Sequence, residues 1–400
     1  MGKWEMVRLG DVFLSIKNGA NIKQGDEEGS GYPITRIETI SYGRINRKKM
    51  GYAGIMDVAP YSDYILESGD ILMSHINSAK HLGKTALYEV KNNEAIIHGM
   101  NLLRLRPNQE IINCKYAKHF FDTYSFKKQI PNITKNSVNQ SSFTVKALAN
   151  LIIPLPPLAV QQQIVDVLDR ASSLIEKRKA QIEKLDLLVK SQFVEMFGDP
   201  ATNPKNWGMG TIRDLVIDVK YGTSKPAEQD GKYVYLRMNN ITYEGHLDLT
   251  DLKYINVDEK DFEKYAVRKG DILFNRTNSR ELVGKTAVFK EDTPMVIAGY
   301  IIRVRTNDKA NYEYISAYLN SQFGKRLLYG MCKAIVGQAN INAQELQDIA
   351  IMVPPRSLQD EFAAFIQKVC NTKKLAERAL SQYEILYKSL IQKCFLGDIE

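Results

Sequence analysis

Two long stretches of the chain, residues 158–197 and 358–395, carry the same heptad pattern, and this pattern limits what the chain can fold into. Apolar residues recur every seven positions in both stretches. Such a row forms a continuous seam on a helix that packs against another helix. At about 1.5 Å per residue, each helix is roughly 60 Å long. The predicted seam residues are Ile164, Leu168, Ile175, Ile182, Val189, Phe362, Val369, Tyr383 and Leu390.

Either stretch alone is compatible with an ordinary amphipathic core helix, but the rest of the chain is duplicated as well. Trp4 and Trp207 begin the two copies and are 203 residues apart. The Gly-Asp-Ile-Leu segments at 69–72 and 270–273 are 201 residues apart. An offset that drifts so little indicates one domain-sized unit used twice. We therefore expect the two long helices to pair with each other.

Within each copy, short segments rich in Val, Ile, Tyr and Leu alternate with Gly, Asp and Asn, which predicts a mixed, largely antiparallel sheet. Helices are predicted near 114–130 and 312–329. The predicted fold class is α+β, with two similar globular domains separated by an antiparallel pair of long coiled-coil helices and related by a pseudo-two-fold axis. The predicted boundaries are 1–155 for the first domain, 156–199 for the first helix and linker, 200–353 for the second domain and 354–400 for the second helix.

The bulk composition favours a negatively charged partner inside the cell. The chain has 54 Lys and Arg residues against 46 Asp and Glu residues, a formal net charge of +8. This balance favours a polyanion, although simple solubility also accounts for it. The four Cys residues form no CxxC pair, and no apolar run approaches the roughly 18 residues of a membrane span. We therefore expect a cytoplasmic protein.

The motifs of catalysis and cofactor binding are missing from the sequence. The GKT segments at 83–85 and 284–286 lack the Gly that a phosphate-binding loop needs five residues before its second Gly, since Ser78 and Ser279 stand there. The five His residues show no metal-ligand spacing. We therefore predict no catalytic residue, no metal site and no cofactor bound by this chain.

Basic and amide residues are concentrated in loops at matching places in the two copies. Arg, Asn and Gln can read base edges, and Lys and Ser can position phosphates. A solvated surface is the alternative for any single residue, but the duplication favours binding of double-stranded DNA. The loops 75–81 and 276–282 differ in sequence, which favours two different targets. The predicted DNA-binding residues are Lys17, Asn18, Lys23, Arg36, His75, Asn77, Ser78, Lys80, Asn139, Gln140, Lys220, Tyr221, Lys225, Arg237, Asn239, Asn275, Arg276, Asn278, Arg280, Gln338 and Asn340.

The order of several motifs resembles the specificity subunit of type I restriction–modification systems. PLPPLAVQQQI at 154–164 begins the first long helix, and KSQFVEMFGDP at 190–200 ends it. Degenerate second copies of these two motifs lie at Pro354 and Phe395. KYGTSKP at 220–226 resembles the Gly- and Thr-rich loop of a target-recognition domain. Together with the Gly-Asp-Ile-Leu pair, the ordered set covers essentially the whole chain.

This resemblance implies a non-catalytic subunit whose two target-recognition domains each read one half of an asymmetric bipartite DNA site. It implies that the helix pair sets the spacer between the halves and docks two modification (methyltransferase) subunits, which bind S-adenosylmethionine and methylate adenine. Two restriction (motor and nuclease) subunits, which use ATP and Mg²⁺, are further expected partners. Two alternatives remain open at this point: a self-contained DNA methyltransferase or nuclease, and a protein–protein adaptor that does not bind DNA.

Overall fold

The computed structural model describes residues 4–25, 30–137, 140–332 and 339–398, which form two compact units. The first unit comprises Met1–Lys179 with Arg378–Glu400, and the second comprises Ala180–Glu377. Each unit therefore contains one globular domain and part of each long helix. This division differs from the four predicted segments, because the helices pack on the domains instead of forming segments of their own. No helix in the described ranges is long and apolar enough to cross a bilayer.

The first unit is built on an antiparallel four-stranded sheet. The strands of the whole unit are β1 (Met6–Arg8), β2 (Phe13–Asn18), β3 (Ile71–Ser74), β4 (Ile76–Asn77), β5 (Thr85–Leu87), β6 (Leu102–Pro107), β7 (Lys135–Asn136), β8 (Ser141–Ser142) and β9 (Ile152–Pro154). Its helices are α1 (Leu9–Val12), α2 (Cys114–Asp122), α3 (Tyr124–Lys127), α4 (Ile130–Ile133), α5 (Val145–Ala149) and the start of α6 (Leu158–Phe197). The main sheet has the order β2-β6-β3-β5.

The second unit repeats this sheet and adds a second one. Its strands are β10 (Met209–Thr211), β11 (Val216–Tyr221), β12 (Tyr233–Leu236), β13 (Lys253–Ile255), β14 (Ala266–Val267), β15 (Ile272–Asn275), β16 (Thr277–Asn278), β17 (Thr286–Val288), β18 (Met295–Ile297), β19 (Ile301–Thr306), β20 (Ala339–Asn340) and β21 (Ala350–Met352). Its helices are α7 (Glu259–Tyr265), α8 (Tyr312–Asn320), α9 (Gln322–Met331), α10 (Ala343–Gln347) and the start of α11 (Arg356–Leu396). The main sheet is β11-β19-β15-β17, and the added sheet is β13-β12-β18-β14.

The two long helices begin and end with the same local chemistry. The carbonyl oxygen of Pro157 accepts hydrogen bonds from the amides of Val160 and Gln161 in the first turn of α6, and that of Pro355 accepts from Leu358 and Gln359 in the first turn of α11. Proline is tolerated there because the first turn has no N–H bond to lose. Gly198 and Gly397 follow the two C-termini with φ of 84° and 83°. A residue in this left-handed conformation ends a helix, and glycine adopts it without steric cost.

The helices predicted near 114–130 and 312–329 are each broken at a residue that caps a new helix. Thr123 lies between α2 and α3, and its hydroxyl accepts a hydrogen bond from the amide of Phe126 at 3.0 Å. Ser321 lies between α8 and α9 and accepts from Gly324 at 3.0 Å. Both residues are extended and act as N-caps, so each starts a new helix where the apolar periodicity continues. The sequence pattern therefore located these helices but did not show the break.

In both units, the core of the globular domain continues into the two long helices. In the first unit, Phe395 at the end of α11 packs on Tyr116 of α2, with ring centroids 4.9 Å apart. In the second unit, Phe197 at the end of α6 packs on Tyr314 of α8, with centroids 4.8 Å apart. Each domain therefore packs on the start of its own helix and on the end of the other helix. The two helices consequently run antiparallel within each unit.

Two basic residues that lie among the apolar residues of the long helices, Arg178 and Lys373, have partners within their own units. In the first unit, the Arg178 guanidinium lies 5.9 Å from the ring centroid of Tyr383. In the second unit, Lys373 Nζ lies 2.6 and 2.7 Å from the carboxylate oxygens of Asp186, and His246 Nε2 is 3.2 Å from one of them. The nine predicted seam residues are all buried or half-buried.

A buried glutamine fixes each domain to the first turn of the helix that follows it. In the first unit, the side chain of Gln161 accepts from the amide of Asn113 at 2.8 Å and donates to the carbonyls of Ile111 and Pro156. In the second unit, Gln359 makes the same three bonds with Asn311, Lys309 and Pro354. Both glutamines have no exposed surface.

We predict that Gln161→Ala lowers the free energy of unfolding of the first unit by about 3 kcal/mol, because it leaves one amide and two carbonyls without partners in a buried site. Urea unfolding monitored by circular dichroism measures this. The control is Gln162→Ala, which removes two exposed hydrogen bonds, one with Asn113 and one with Asp166, and should cost less than about 1 kcal/mol because both sites are open to water. Equal losses in the two variants would contradict the role assigned to Gln161.

We also predict that Asp186 makes stability depend on pH in the acid range. Burial opposes ionisation of this carboxyl, but hydrogen bonds from His246 and Lys373 outweigh it and lower its pKa from 3.8 to about 2. A lowered folded-state pKa stabilises the fold above the unfolded-state pKa, and this contribution is lost as the pH falls from about 4 towards 2. Urea unfolding should therefore show that the unaltered protein has a higher free energy of unfolding than Asp186→Asn, and that this difference shrinks as the pH falls over this range. If the free energy of unfolding depends on pH in the same way in the two proteins, the prediction is wrong.

Candidate nucleic-acid interface

One edge of the main sheet in the second unit brings the predicted loops together. Strands β11 and β15 flank β19 and are both antiparallel to it, so they run in the same direction. Tyr221 at the end of β11 and Phe274 near the end of β15 both lie opposite Ile302. The segments that leave these two strands therefore emerge at the same edge. We call this the second recognition edge, and it comprises Tyr221, residues 276–280 and Asn340.

Arg276 is held at this edge by contacts to side chains and backbone. Its guanidinium lies 4.8 Å from the ring centroid of Tyr221. Its amide donates to the carbonyl of Tyr300, and its carbonyl accepts from the amide of Ile341, both at 2.9 Å. The next two residues form β16, which pairs with β20 so that Thr277 lies opposite Asn340. The loop 276–280 is therefore part of a small sheet, and its position is fixed by residues far away in the chain.

Arg280 and Asn278 extend the second recognition edge. The Arg280 guanidinium stacks on Tyr329 of α9 at 4.2 Å, and its Nε donates to the carbonyl of the same residue. Asn278 caps its own turn by accepting from the amide of Ser279, and its Nδ2 contacts Met238 Sδ at 3.8 Å. The contact to Met238 brings the segment 237–240 beside the edge.

The cations of this unit differ in how strongly carboxylates hold them. Lys220 lies 3.2 Å from Asp218, and Arg237 donates to Asp251 at 2.8 Å. Among the described residues, the side chain of Arg276 forms no hydrogen bond and no ion pair, and its Nε is buried without a partner. The terminal nitrogens of this arginine therefore remain available for a ligand.

The first unit has the corresponding edge. Strands β2 and β3 both run antiparallel to β6, so Asn18 and Ser74 emerge at the same edge. The loop after β3 forms β4, which pairs with β8 so that Asn77 lies opposite Ser141. Asn77 accepts from the amide of Ser78 at 2.7 Å, as Asn278 does in the second unit. We call the group Lys17, Asn18, Asn77, Ser78, Lys80 and Gln140 the first recognition edge.

Arg36 and its counterpart Arg237 are both anchored within their own domains. Arg36 Nε donates to Gln24 Oε1 at 2.8 Å, and a terminal nitrogen donates to the carbonyl of Gly25. The Arg36 side chain lines a mostly polar cavity of about 360 Å³ with Gln24, Glu38 and Asn101. These two arginines shape the surface of their domains, and their guanidinium groups are already engaged.

Two predicted DNA contacts are corrected by the structure, because their side chains are buried. His75 is 6% exposed, packs edge-on against Phe143, and has its pKa lowered by burial to about 4. Asn275 is the last residue of β15 and has no exposed surface. Neither side chain can reach the edge of a DNA base in this conformation, so we do not include His75 and Asn275 among the proposed contacts.

Two predicted residues, Asn139 and Gln338, lie outside the described residues. All the others are exposed or half-buried: Lys17, Asn18, Lys23, Arg36, Asn77, Ser78, Lys80, Gln140, Lys220, Tyr221, Lys225, Arg237, Asn239, Arg276, Asn278, Arg280 and Asn340. Sequence reasoning missed Tyr329 and Tyr300, which support the arginines of the second recognition edge. No sequence signal marks them, because each is joined to its arginine only by folding.

The described part of the chain holds no group of three or more His, Cys, Asp or Glu side chains that could bind a metal ion. The side chains present at the two recognition edges include arginine, lysine, asparagine, glutamine, serine and tyrosine, which form hydrogen bonds, ion pairs and stacking contacts. Arg, Asn, Gln, Lys and Ser at a sheet edge can contact base edges and phosphates.

Comparison with known proteins places this geometry in context. The chain matches a family model described as type I restriction modification DNA specificity domain twice, over residues 1–184 and 204–383, which confirms the predicted duplication. It is 40% identical to a putative type I restriction enzyme MjaX specificity subunit of Methanocaldococcus jannaschii, covering 99% of this chain and 93% of that protein. It is 24% identical to the type I restriction enzyme EcoKI specificity subunit of Escherichia coli, covering 74% and 67% of the two chains.

Two solved structures share the fold. One belongs to a study of complex assembly and conformational transition of the type I restriction–modification system, with a TM-score of 0.60, 18% identity, and 99% and 98% coverage of the two chains. The other is a type I restriction–modification system S subunit from M. genitalium, with a TM-score of 0.56, 13% identity, and 98% and 96% coverage.

Proposed function

The chain belongs to the family of type I restriction–modification DNA specificity subunits, and from this premise we propose that each of its two units reads one half of a bipartite site in double-stranded DNA. Members of this family are non-catalytic, and the chain accordingly supplies recognition. The single observation that carries the proposal is the recognition edge, which recurs in both units at the ends of equivalent strands.

The two recognition edges support an asymmetric target. The frame is the same in both units, since Asn77 and Asn278 cap equivalent turns. The residues that follow the equivalent strands differ, because His75 is buried where Arg276 is presented to solvent. Two frames of the same shape with different donors and acceptors read different base sequences.

The long helices support docking of partner subunits. Several of their apolar side chains are more than half exposed, and exposed apolar surface on a helix marks a protein interaction site where the side chains are contiguous. The exposed side chains are Leu174, Ile385 and Leu386 in the first unit, and Leu187 and Leu375 in the second. We propose that these side chains are covered by two modification subunits, and that two restriction subunits join the assembly in the cytoplasm. S-adenosylmethionine, ATP and Mg²⁺ belong to those partners.

Expression together with the modification subunits in a methylation-free bacterial host tests the proposal. Sequencing that detects methylated adenine should reveal one two-part motif, present only when this chain is expressed. Methylation or cleavage of DNA by the purified chain alone would favour a self-contained enzyme. If the assembled complex shows no salt-dependent binding to duplex DNA, the protein–protein adaptor is the better description, because phosphate contacts make affinity fall with salt.

Arg276→Ala should weaken recognition of one half-site only. A bidentate contact to a base is worth about 1–3 kcal/mol, so discrimination at one position should fall roughly 10- to 100-fold. Binding of the assembled complex to duplexes with single substitutions in each half-site measures this.

The matched control is Arg213→Ala, in the same unit. Arg213 precedes the start of β11, at the opposite end of that strand from Tyr221, and pairs with Asp348 at 2.6 Å. This variant should leave the discrimination unchanged at every position. Loss of recognition in both half-sites on Arg276→Ala, or in neither, would show that the reading loop is misassigned.

A further inference from the structure

We propose that Tyr221 is a positioning residue that holds Arg276 for a guanine in the half-site read by the second unit. The inference rests on the proposed function and specifies it, because it names one base and the residue that prepares the arginine to read it. The observation behind it is the stack between the Arg276 guanidinium and the Tyr221 ring, 4.8 Å from the ring centroid.

The tyrosine ring is fixed at both ends before any ligand arrives. Its backbone belongs to β11, where Tyr221 pairs with Ile302 of the central strand. Its hydroxyl accepts a hydrogen bond from the amide of Ala343 at 2.8 Å, at the first residue of α10. That helix start is itself closed by a capping box between Asn342 and Glu345. A ring anchored in this way is a rigid platform and does not rearrange freely.

The arginine is fixed on that platform, while its hydrogen-bonding capacity is left unused. Backbone bonds to Tyr300 and Ile341 hold its main chain, and its Nε is buried without a partner. By comparison, the guanidinium of Arg280 donates to the Tyr329 carbonyl, and that of Arg237 donates to Asp251. Within the described residues of the edge, Arg276 is therefore the arginine whose side chain forms no hydrogen bond, whereas Arg280 uses its Nε.

The chemistry of a stacked guanidinium selects the base. An arginine presents two parallel N–H donors in one plane, and guanine presents two acceptors, O6 and N7, at matching spacing in the major groove. Stacking fixes the plane of the fork, so less side-chain freedom is lost when the base is bound. A lysine or an unsupported arginine would bind phosphate as well as base, with less geometric selectivity.

The first unit does not contain this arrangement. The position equivalent to Arg276 is His75, which is buried, and the residue before the glycine shared by the two copies, Gly19 or Gly222, is Asn18 in the first unit and Tyr221 in the second. The inference therefore concerns the second half-site alone, and the first half-site serves as an internal control.

The test uses the assembled complex and a duplex that carries the motif identified by methylation sequencing. Each guanine of the second half-site is replaced in turn by 7-deazaguanine, which lacks the N7 acceptor. The unaltered complex should bind about tenfold more weakly to the duplex in which one particular guanine has been replaced. Tyr221→Leu should bind the unmodified duplex about tenfold more weakly and should no longer respond to the replacement at that position. Tyr221→Phe, which keeps the ring, should remain sensitive to it.

The possible outcomes are distinguishable. Tyr221→Leu must still discriminate substitutions in the first half-site, which shows that the complex has assembled and folded. If it does so and keeps full sensitivity to 7-deazaguanine, the positioning role is refuted. A second half-site without guanine, or one in which no replacement affects the protein, also overturns the inference. If the unaltered complex discriminates neither half-site, the proposed function itself has failed.

Discussion

The buried amides of Gln161 and Gln359 are the interaction on which the rest of each unit depends. Each side chain joins the loop before a domain helix to the residues just ahead of a long helix, through three hydrogen bonds in a site without exposed surface. A buried amide left without partners costs about 1–3 kcal/mol, so the loop, the linker and the helix must adopt this geometry together. Because the same amide occurs at the same place in both units, both domains are attached to their helices in the same way.

The attachment matters for function because the recognition edge lies on the same rigid domain. An ion pair to a buried aspartate joins two segments of that domain in each unit: Arg106 binds Asp70, and Arg305 binds Asp271. The two aspartates also accept from the amides of Glu67 and Arg268, so each closes the turn before its strand and ties that turn to the neighbouring strand. A sheet braced in this way can present loop residues in fixed positions, which direct reading of bases requires.

Much of the fold could be predicted because its signals are local or repeated. The heptad rows located α6 with its observed ends, and the Gly residues after both long helices marked where they stop. The positions of the breaks at Thr123 and Ser321 could not be predicted. A Ser or Thr hydroxyl can cap a new helix, but the same residue can also lie inside a continuous helix, and the local sequence does not decide between the two. Within the candidate site, the residue types predict loops that contact DNA, but the pattern does not show that the side chains of His75 and Asn275 are buried.

The sequence by itself determined the long helices, the duplication and the position of the loops in the chain, since periodicity and turn chemistry depend on neighbouring residues. Only the tertiary structure decided which side chains are presented at the edge. Arg276 is presented because Tyr221, Tyr300 and Ile341, which come from three other segments, hold it in place. Exposure and orientation of this kind arise from contacts between residues far apart in the chain, and no local pattern encodes them.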